Sequence, residues 1–526
     1  MFIRVVGRYN PRPMSSTLER QPIDPKSADF LREAEASPFD FHSLSTKAAG
    51  DEKLKRSVNN AVLRQHTARE LRMLELPDAD RLRTLAGQIK QHTLDNLDYY
   101  LEQLRANVEK NGGHVHFAAD AGDARRIILD ICRHNEVRRI IKSKSMVSEE
   151  INLAHVLEAA GLDVVETDLG EFIVQISKDR PSHLVAPIVH KDRASIARLF
   201  SEYFGTPYND DPNALTMQAR AYLRDKFRQA DLGMTGGNFL CAQTGLVCSI
   251  ENEGNQRQSV STPRVLIALV GIEKLVPRMI DLAVMLKLLT RSATGAPSAI
   301  YTNLYGGPRS FGEKDGPQEF HLVLVDNGRT EILASEYRET LRCIRCGACL
   351  NACPIYRNIG GHAYGSVYPG PIGALITPLF KGLKEFKDLP QASSLCGACY
   401  EVCPVKINIP KYLIQMRRDI VRTHLNGRIE RMVYRLWARG FQSVFLYRAI
   451  SKLQKWDLRR RARGADWVRK LPRFAAGWTQ IRDMPAPAKK SFHQLWKARN
   501  SVCPHPNPLP EGEGERDAFS RRGDCE

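Results

Sequence analysis

The sequence predicts an α/β protein with a largely parallel sheet, followed by a small helical cysteine-rich domain and a basic helical C-terminal segment. Three observations support this fold class. Short apolar runs alternate with helical patterns before residue 330, which is typical of parallel strands joined by crossover helices. Seven of the twelve cysteines lie between Cys343 and Cys403. An excess of Lys and Arg is confined to residues 411–500.

The N-terminal part predicts helices before the sheet begins. Residues 1–50 are polar and interrupted by prolines, and we expect them to be poorly ordered. From about Val58 to Val108 the pattern is helical, because Leu71, Leu74, Leu82 and Leu85 recur near helical spacing.

The strand and helix signals then alternate as far as the cysteine-rich region. Strands are predicted at His114–Ala118, Val137–Ile141, Leu162–Glu166, Val265–Val270 and Phe320–Val325. Helices are predicted at Ala121–His134 and at Ser148–Ala160, the second capped by Ser148. The run Asp326-Asn327-Gly328 predicts a hairpin turn after the last strand.

The chain shows no membrane-spanning or secretory pattern, so the expected compartment is the cytoplasm. Charged residues interrupt the most apolar region, Pro263–Leu289, which therefore lacks the ~20 apolar residues of a span. The N-terminus lacks the order of a secretory signal. Clustered thiols in a reducing compartment indicate metal ligands rather than disulfides.

The first cysteine motif is Cys343-x2-Cys346-x2-Cys349-x3-Cys353-Pro354. This is the ferredoxin-type spacing for a [4Fe–4S] cluster, in which the fourth cysteine ligates the other cluster of a pair. Three thiolates from one turning segment can bind three corners of a cubane, and the fourth begins a helix that leads towards the second site.

The second motif is Cys396-x2-Cys399-x3-Cys403-Pro404. The pairing rule of two-cluster ferredoxins predicts two ligand sets. Cluster one, a [4Fe–4S] centre, takes Cys343, Cys346, Cys349 and Cys403. Cluster two takes Cys353, Cys396 and Cys399. A pair of tetrahedral zinc sites is the alternative, and the x2-x2-x3 spacing with its Cys-Pro ending argues against it.

A complete second motif would have a cysteine at position 393, where the chain has Ser393. Cluster two is therefore expected to be a [3Fe–4S] centre, or a [4Fe–4S] centre whose fourth iron is held by Ser393, water or another group. A helix-capping serine is the alternative. The remaining cysteines, at positions 132, 241, 248, 503 and 525, lack such spacing and are interpreted as buried or incidental.

The net charge of +18 arises entirely from residues 411–500, which hold 23 Lys and Arg against 5 Asp and Glu. Arginines recur there at largely helical intervals around Tyr434, Leu436 and Trp437. This segment is expected to contact an acidic partner surface or an anionic membrane face, and a solvated helix face is the alternative. Nucleic acid is not expected, because no recognition motif accompanies the charge.

The chain resembles the lactate-utilization iron–sulfur protein B family from about residue 50 to residue 500. The segments that carry the resemblance are Lys142–Glu149, Glu166–Glu171, Glu251–Asn255, Gly271–Pro277, Cys343–Pro354, Ile359–Gly365 and Ala392–Cys399. The resemblance implies a cytoplasmic three-protein system that oxidises L-lactate to pyruvate. In it this chain is an oxidoreductase subunit, the electron carrier between a cysteine-rich partner and a smaller homologue of its own α/β (LUD-type) domain.

The resemblance also implies an α/β domain similar to the CoA-transferase and sugar-isomerase folds. In that fold Thr235–Asn238 and Glu251–Asn255 lie on loops at strand ends, where α/β sheets bind ligands; tight turns with a solvated acidic loop are the alternative. The expected domains are 1–50, 51–334 (α/β), 335–410 (ferredoxin-type), 411–500 (basic helical) and a disordered, low-complexity tail, 501–526.

Two other functions are compatible with the same residues. One is a stand-alone iron–sulfur oxidoreductase that binds its substrate in the α/β domain and uses the clusters as an internal conductor. The other is a zinc-stabilised interaction scaffold. No flavin motif and no acid–base pair near the cysteines are visible in the sequence, which favours the electron-carrier interpretation.

Overall fold

The computed structural model describes residues 39–479 and 482–502. These residues form two compact units, one ending at Leu425 and the other beginning at Asn426. The predicted tail beyond residue 502 and the first 38 residues lie outside the described part of the chain. None of the described helices is long and apolar enough to cross a membrane.

The first unit is built on a six-stranded sheet in the order β1-β10-β7-β4-β2-β3, with every neighbouring pair parallel. Its strands are β1 (His114–Ala118), β2 (Arg139–Lys142), β3 (Asp163–Glu166), β4 (Leu232–Thr235), β7 (Val265–Gly271) and β10 (Glu319–Val325). The central strand β7 is buried at all its residues, as expected where helices cover both faces of a parallel sheet. The predicted α/β fold with a largely parallel sheet is confirmed.

Helices pack on the two faces of this sheet and around its β3 edge. They are α4 (Leu97–Lys110), α5 (Ala121–His134), α6 (Met146–Glu150), α7 (Leu153–Ala159), α8 (Leu169–Ile176), α9 (Arg193–Phe204), α10 (Pro212–Gln229) and α11 (Asn255–Ser261). Ile128 and Leu157 cover one face of the sheet, and Leu101 and Leu104 cover the other. A second sheet, in the order β8-β5-β6-β9, contains β5 (Phe239–Cys241), β6 (Leu246–Glu251), β8 (Leu275–Val276) and β9 (Tyr301–Tyr305).

Two local predictions in the α/β region are wrong. Asp326-Asn327-Gly328 does not form a hairpin, because β10 has parallel neighbours on both sides and no edge for a returning strand. Gly328 instead precedes α13 (Arg329–Ala334), and Asp326 accepts a hydrogen bond from the Thr330 amide. The predicted helix Ser148–Ala160 is divided into α6 and α7, and Ser145 rather than Ser148 caps the first.

The N-terminal helices and the cysteine-rich segment share one hydrophobic core. The N-terminal helices are α1 (Phe41–Ala49), α2 (Glu52–Leu74) and α3 (Ala79–Asp95), and α12 (Met279–Ala293) packs beside them. Residues 39–50 are thus helical in part, contrary to the poorly ordered segment expected there. Val58 and Val62 of α2 are fully buried, whereas Leu71 and Leu74 are exposed. The segment is helical as predicted, but Leu71, Leu74 and Leu85, three of the four leucines that predicted it, do not face the core.

The cysteine-rich segment is made of short helices joined by turns. They are α14 (Ala348–Ala352), α15 (Pro354–Ile359), α16 (Gly370–Lys381), α17 (Ala398–Glu401) and α18 (Ile409–Arg422). The last of these contains the start of the predicted basic segment. Arg417 donates to the carbonyl of Pro390, and Arg418 pairs with Glu336, so both belong to the first unit.

The second unit contains two long helices, a short hairpin and a final helix. These are α19 (Arg428–Gln442), α20 (Val444–Ala462), the antiparallel pair β11 (Trp467–Val468) and β12 (Met484–Pro485), and α21 (Phe492–Val502). Ser443 ends α19 and caps α20 by accepting a hydrogen bond from the Leu446 amide. Phe441 contacts the rings of Trp437 and Tyr447 at this turn.

Candidate metal centre

The first cysteine motif is folded by two residues in the left-handed conformation. Arg345 has a φ of 59° and Gly347 a φ of 78°, and the chain turns back between Cys343 and α14. This turn directs the Arg345 amide to the Cys343 Sγ at 3.4 Å. Cys353 then stands at the start of α15, directly before Pro354 at the first helical position.

The second motif repeats this geometry fifty residues later. Leu395 has a φ of 56° and Gly397 a φ of 88°, so both left-handed positions recur. The Leu395 amide donates to the Ser393 Oγ at 3.1 Å, as the Arg345 amide does to Cys343. Ser393 therefore occupies the position in the second segment that Cys343 occupies in the first.

One group of thiols consists of Cys343, Cys346, Cys349 and Cys403. Burial, and then the proximity of Cys343 and Cys403, raises the pKa of Cys346 to about 12. The pKa of Cys349 is raised well above its usual value by burial and by Cys343 and Cys346. Cys403 is buried near Cys343, and its Sγ accepts a hydrogen bond from the Ile407 amide at 3.4 Å.

A second group consists of Cys353, Cys396 and Cys399. Burial, and then the proximity of Cys353 and Cys396, raises the pKa of Cys399 to about 12. Cys353 is buried and Cys396 is exposed, so this group extends from the interior to the surface. Cys399 also influences the pKa of Cys349, which indicates that the two groups adjoin.

Two arginines of the N-terminal helices support the first group from outside the cysteine-rich segment. Arg69 is buried and donates to the carbonyl of Val402 at 3.0 Å, close to Cys346 and Cys403. Arg83 donates to the carbonyl of Cys403 through two of its nitrogens, at 3.0 and 3.1 Å. The helices α2 and α3 thus hold the chain at the last cysteine of this group.

A buried network of charges lies on the other side of Cys343. Arg329 forms a bidentate pair with Glu150 at 2.8 and 2.9 Å and bonds Glu273 at 2.5 Å. Lys90 donates to the carbonyls of Glu273 and Leu275. Arg345 and Lys274 complete the network, which holds four basic residues and two carboxylates. Burial lowers the pKa of Lys90 to about 7 and that of Lys274 to about 8.

Arg345 is the member of this network that points to a further ligand. Its guanidinium is buried, and it stacks on the ring of Tyr368 with 4.6 Å to the centroid. Glu273 Oε1 lies 3.5 Å away, and among the described residues none of the Arg345 side-chain nitrogens has a hydrogen-bond partner. A buried guanidinium with unpartnered donors is costly unless an anion or another acceptor is present.

These features fit an anionic iron–sulfur cluster better than a zinc ion. A [4Fe–4S] core with four thiolates carries net negative charge and sulfide acceptors, which match the buried cations and the free donors of Arg345. Thiolates on one zinc ion, each ~2.3 Å from it, would lie within ~4 Å of one another. Among the described residues, the group of three ligand atoms found within 4.8 Å of one another is Asp179, His190 and His362, without any cysteine.

The remaining cysteines and the two polar loops have other surroundings. Cys132, Cys241 and Cys248 are buried in the α/β core, as predicted; positions 503 and 525 lie outside the described residues. Thr235–Asn238 and Glu251–Asn255 stand at the ends of β4 and β6, as expected. Their side chains are bonded to neighbouring protein groups: Asn238 accepts from the Ile250 amide, Glu251 accepts from two amides at the start of α11, and Glu253 accepts from the Leu169 amide.

Sequence reasoning did not find the cations around the cysteines. Arg69, Arg83 and Lys90 lie on helices more than 240 positions before the motif, where nothing local distinguishes them from surface residues. Arg345 lies inside the motif, between Cys343 and Cys346, and this position could have indicated that its side chain stands close to the site. A bulky residue at a left-handed position is uncommon, so its side chain is held by its surroundings.

Comparison with known proteins decides the family. The model of the LUD domain matches residues 101–325, that of the 4Fe-4S dicluster domain matches 339–407, and that of the C-terminal domain of lactate utilisation protein B matches 422–501. A Bacillus mycoides protein named lactate utilization protein B 2 is 45% identical over 448 residues, covering 85% of this chain and 94% of its own. The chain belongs to the lactate utilization protein B family.

Two other relatives and one solved structure complete the comparison. Lactate utilization protein B of Shouchella clausii is 44% identical, with 88% of this chain and 98% of its own covered. An uncharacterized electron transport protein of Escherichia coli, YkgF, is 43% identical, with 88% and 97% covered. A DUF162 family protein from Deinococcus radiodurans covers 44% of this chain and 98% of its own at 13% identity, with a TM-score of 0.25.

Proposed function

We propose that this chain is the iron–sulfur electron carrier of a system that oxidises L-lactate to pyruvate. The observation that carries the proposal is the repeated segment, which brings two adjoining groups of thiols next to buried cations. Two bound clusters supply one-electron acceptor and donor chemistry. The relatives' names, lactate utilization protein B and electron transport protein, support the substrate and the role.

The proposed ligand sets follow the two thiol groups. Cys343, Cys346, Cys349 and Cys403 bind a [4Fe–4S] cluster, and Cys353, Cys396 and Cys399 bind the second cluster. Ser393 is the proposed fourth ligand of the second cluster, because the repeat gives it the position of Cys343. This second cluster is then a [4Fe–4S] centre with one weakly held iron, or a [3Fe–4S] centre when that iron is lost.

The surface at the second group is the proposed point of electron exchange with partners. Cys396 is exposed, whereas Cys346, Cys349 and Cys403 are buried. The proposed partners are a cysteine-rich subunit and a smaller LUD-domain subunit of the same system. The basic C-terminal segment provides a second contact, with an acidic partner surface or an anionic membrane face.

A cluster of ionisable residues at the ends of β2 and β3 supports a second candidate, a stand-alone oxidoreductase. Lys142 is buried and pairs with Glu166 at 2.6 Å and Glu149 at 3.0 Å. Burial raises the pKa of Glu166 to about 8 despite Lys142, and one of its oxygens has no partner among the described residues. The chain leaves β2 towards β3 and leaves the neighbouring strand β4 in the opposite direction, towards β7. Parallel sheets bind ligands at the carboxyl ends of such a strand pair, and this cluster lies there.

Reduction of a redox dye by lactate separates the two candidates. We expect the anaerobically purified chain to contain iron and sulfide and to be reduced by dithionite. Lactate should reduce the dye only when both proposed partner subunits are added. Lactate-dependent reduction by the single chain, lost in Glu166→Gln and retained in Glu202→Gln on the surface of α9, would favour the stand-alone enzyme. Protein with zinc and no iron would contradict both and support a scaffold.

A further inference from the structure

All five tryptophans of the chain lie in the second unit, at positions 437, 456, 467, 478 and 496. Each is between 39% and 59% exposed, so none is packed in a core. A tryptophan combines an apolar ring with a polar N–H, which suits the boundary between lipid chains and headgroups. Their restriction to one basic unit indicates a surface with a common environment.

Helix α19 separates its apolar and basic residues sharply. Helical spacing places a set of arginines on one face, namely Arg428, Arg431, Arg435 and Arg439. The adjoining and opposite surface of the helix carries Ile429, Met432, Val433, Leu436 and Trp437, all exposed. Only Gly440 of this helix is buried. So large an exposed apolar face on a helix indicates that another surface covers it.

The following helix extends this apolar surface and adds a cationic groove. Exposed residues of α20 include Phe445, Leu446, Ile450 and Leu453. An open groove of about 370 Å³ is lined by Lys452, Lys455, Trp456, Arg459 and Arg460. Arg460 also lies over the Trp456 ring, at 5.5 Å from its centroid. A groove with four cations and an aromatic wall fits a phosphate headgroup.

The charge balance restricts what can cover this surface. Between Arg428 and Arg463 the chain has eleven Lys and Arg and only two acidic residues, Glu430 and Asp457. A second copy of the same surface would bring like charges together, which is unfavourable. The cations are interleaved along the helices with the aromatic residues instead of forming a rim around them, as interfacial helices arrange them.

We propose that α19 and α20 bind an anionic lipid surface, with Trp437 and Phe441 entering the headgroup region and the arginines contacting lipid phosphates. The helices lie in the plane of the interface and do not cross it, since neither could span a membrane. This attachment would keep the electron carrier at a membrane. It does not depend on the proposed clusters, because none of its residues belongs to the cysteine motifs.

The test uses the full-length protein with its metal content measured, and vesicles of phosphatidylcholine with or without phosphatidylglycerol. We expect flotation with the anionic vesicles alone, and binding that falls as salt rises. Because every tryptophan lies in the second unit, a shift of the intrinsic emission to shorter wavelength should accompany binding. Absence of binding to both vesicle types, or equal binding to both at all salt concentrations, would overturn the proposal.

Two double variants and their matched controls identify the binding residues. Arg435→Glu with Arg439→Glu should weaken anionic-vesicle binding at least about tenfold, since each surface cation contributes ~1 kcal/mol. Arg126→Glu with Arg133→Glu, on the exposed side of α5, changes the net charge equally and should leave binding unchanged.

Trp437→Ser with Phe441→Ser should abolish the emission shift, whereas Leu71→Ser with Leu74→Ser on exposed α2 should retain it. Iron content should be the same in all four proteins. If the α19 variants bind vesicles normally but lose binding to a purified partner subunit, the surface belongs to a protein contact and the proposal fails.

Discussion

The two cysteine-rich segments share a backbone and differ in the side chains that it presents. Each passes through two left-handed residues into a short helix. In each, the backbone amide of the third residue, Arg345 or Leu395, donates a hydrogen bond to the side chain of the first, Cys343 or Ser393. The first segment has Cys343 and Arg345 where the second has Ser393 and Leu395. A Cβ at Gly347 would lie 3.1 Å from the His183 ring, whereas a Cβ at Gly397 would meet no atom within 4 Å. We therefore expect the repeated turn to set the positions of the proposed ligands, and the variable residues to set how firmly and at what potential each cluster is held.

The largest effect is expected from removing one thiolate of each group. Cys346→Ser should eliminate the first cluster and Cys399→Ser the second, so each variant should lose about half of the seven or eight irons expected for two clusters. Cys132→Ser, in the α/β core, is the control and should retain them all. Iron and sulfide analysis with electron paramagnetic resonance makes the measurement. Loss of both clusters in either variant would show that the groups do not load independently.

The next effect concerns Ser393 and Cys343. A serine oxygen is a harder and weaker ligand for iron in a sulfide cage, so air should convert the second cluster to a [3Fe–4S] form first. Ser393→Cys should abolish that paramagnetic signal, and Cys343→Ser should give the first cluster the same lability. Ser394→Cys, at the exposed neighbouring position, is the control. An equal signal in the wild type and in Ser393→Cys would mean that position 393 does not face the cluster.

A smaller effect is expected from Arg345. A unit charge ~8 Å from a cluster, at an effective dielectric constant of ~20, contributes about 2 kcal/mol, or roughly 90 mV for one electron. Arg345→Leu should therefore lower the reduction potential of the first cluster by that order, while Arg345→Lys should retain most of it. Leu395→Arg should raise the potential of the second cluster less, because water screens the half-buried position. Potentiometric titration followed by paramagnetic resonance tests both; an unchanged potential in Arg345→Leu would contradict the interpretation.

The smallest effect compares the two glycines by stability. Gly397→Ala introduces strain at a φ of 88° and meets no atom within 4 Å, so a loss of about 1 kcal/mol is expected. Gly347→Ala adds the same strain and brings its Cβ to 3.1 Å from the His183 ring, so it should cost more. Urea unfolding of the two variants under anaerobic conditions provides the comparison. Equal losses in the free energy of unfolding would mean that the loop around His183 moves aside for the added methyl group at no energetic cost.

The parts of the fold that could be predicted are those whose pattern is local. The strand His114–Ala118 and the helix Ala121–His134 have the predicted bounds, because an apolar run and an amphipathic period each stand alone there. The prediction of a hairpin at Asp326-Asn327-Gly328 was wrong, because β10 is paired with a parallel strand on each side, and the local sequence does not reveal that pairing. Ser145 took the cap that Ser148 was expected to provide, since both serines are plausible caps until the loop is placed.

The candidate site likewise has features that a local sequence pattern predicts and features that depend on tertiary structure. The cysteine spacing is a local signal, and the matched turns around Arg345 and Leu395 could be inferred from it. The buried basic residues were not predictable, because Lys90 and Lys274 reach the site from separate elements and resemble ordinary surface lysines in the sequence. His183 is likewise placed by tertiary structure: its ring bonds Asn351 of α14, and burial lowers its pKa to about 4, so it is neutral there.

The hydrogen bond from Arg69 to the Val402 carbonyl has a consequence for the order of events during synthesis. These residues are 333 positions apart, so at ~5–20 residues per second the ribosome needs roughly 15–70 s to reach the second after the first. Cys343, Cys346 and Cys349 are made near the end of that interval, and at the same rate they precede Cys403 by roughly 3–11 s. Because Cys403 is the proposed fourth ligand of the first group, we expect iron loading of that group to follow closure of a loop that spans most of the chain. A ribosome stalled after Cys353 would hold three thiols of the group without the residues that enclose them.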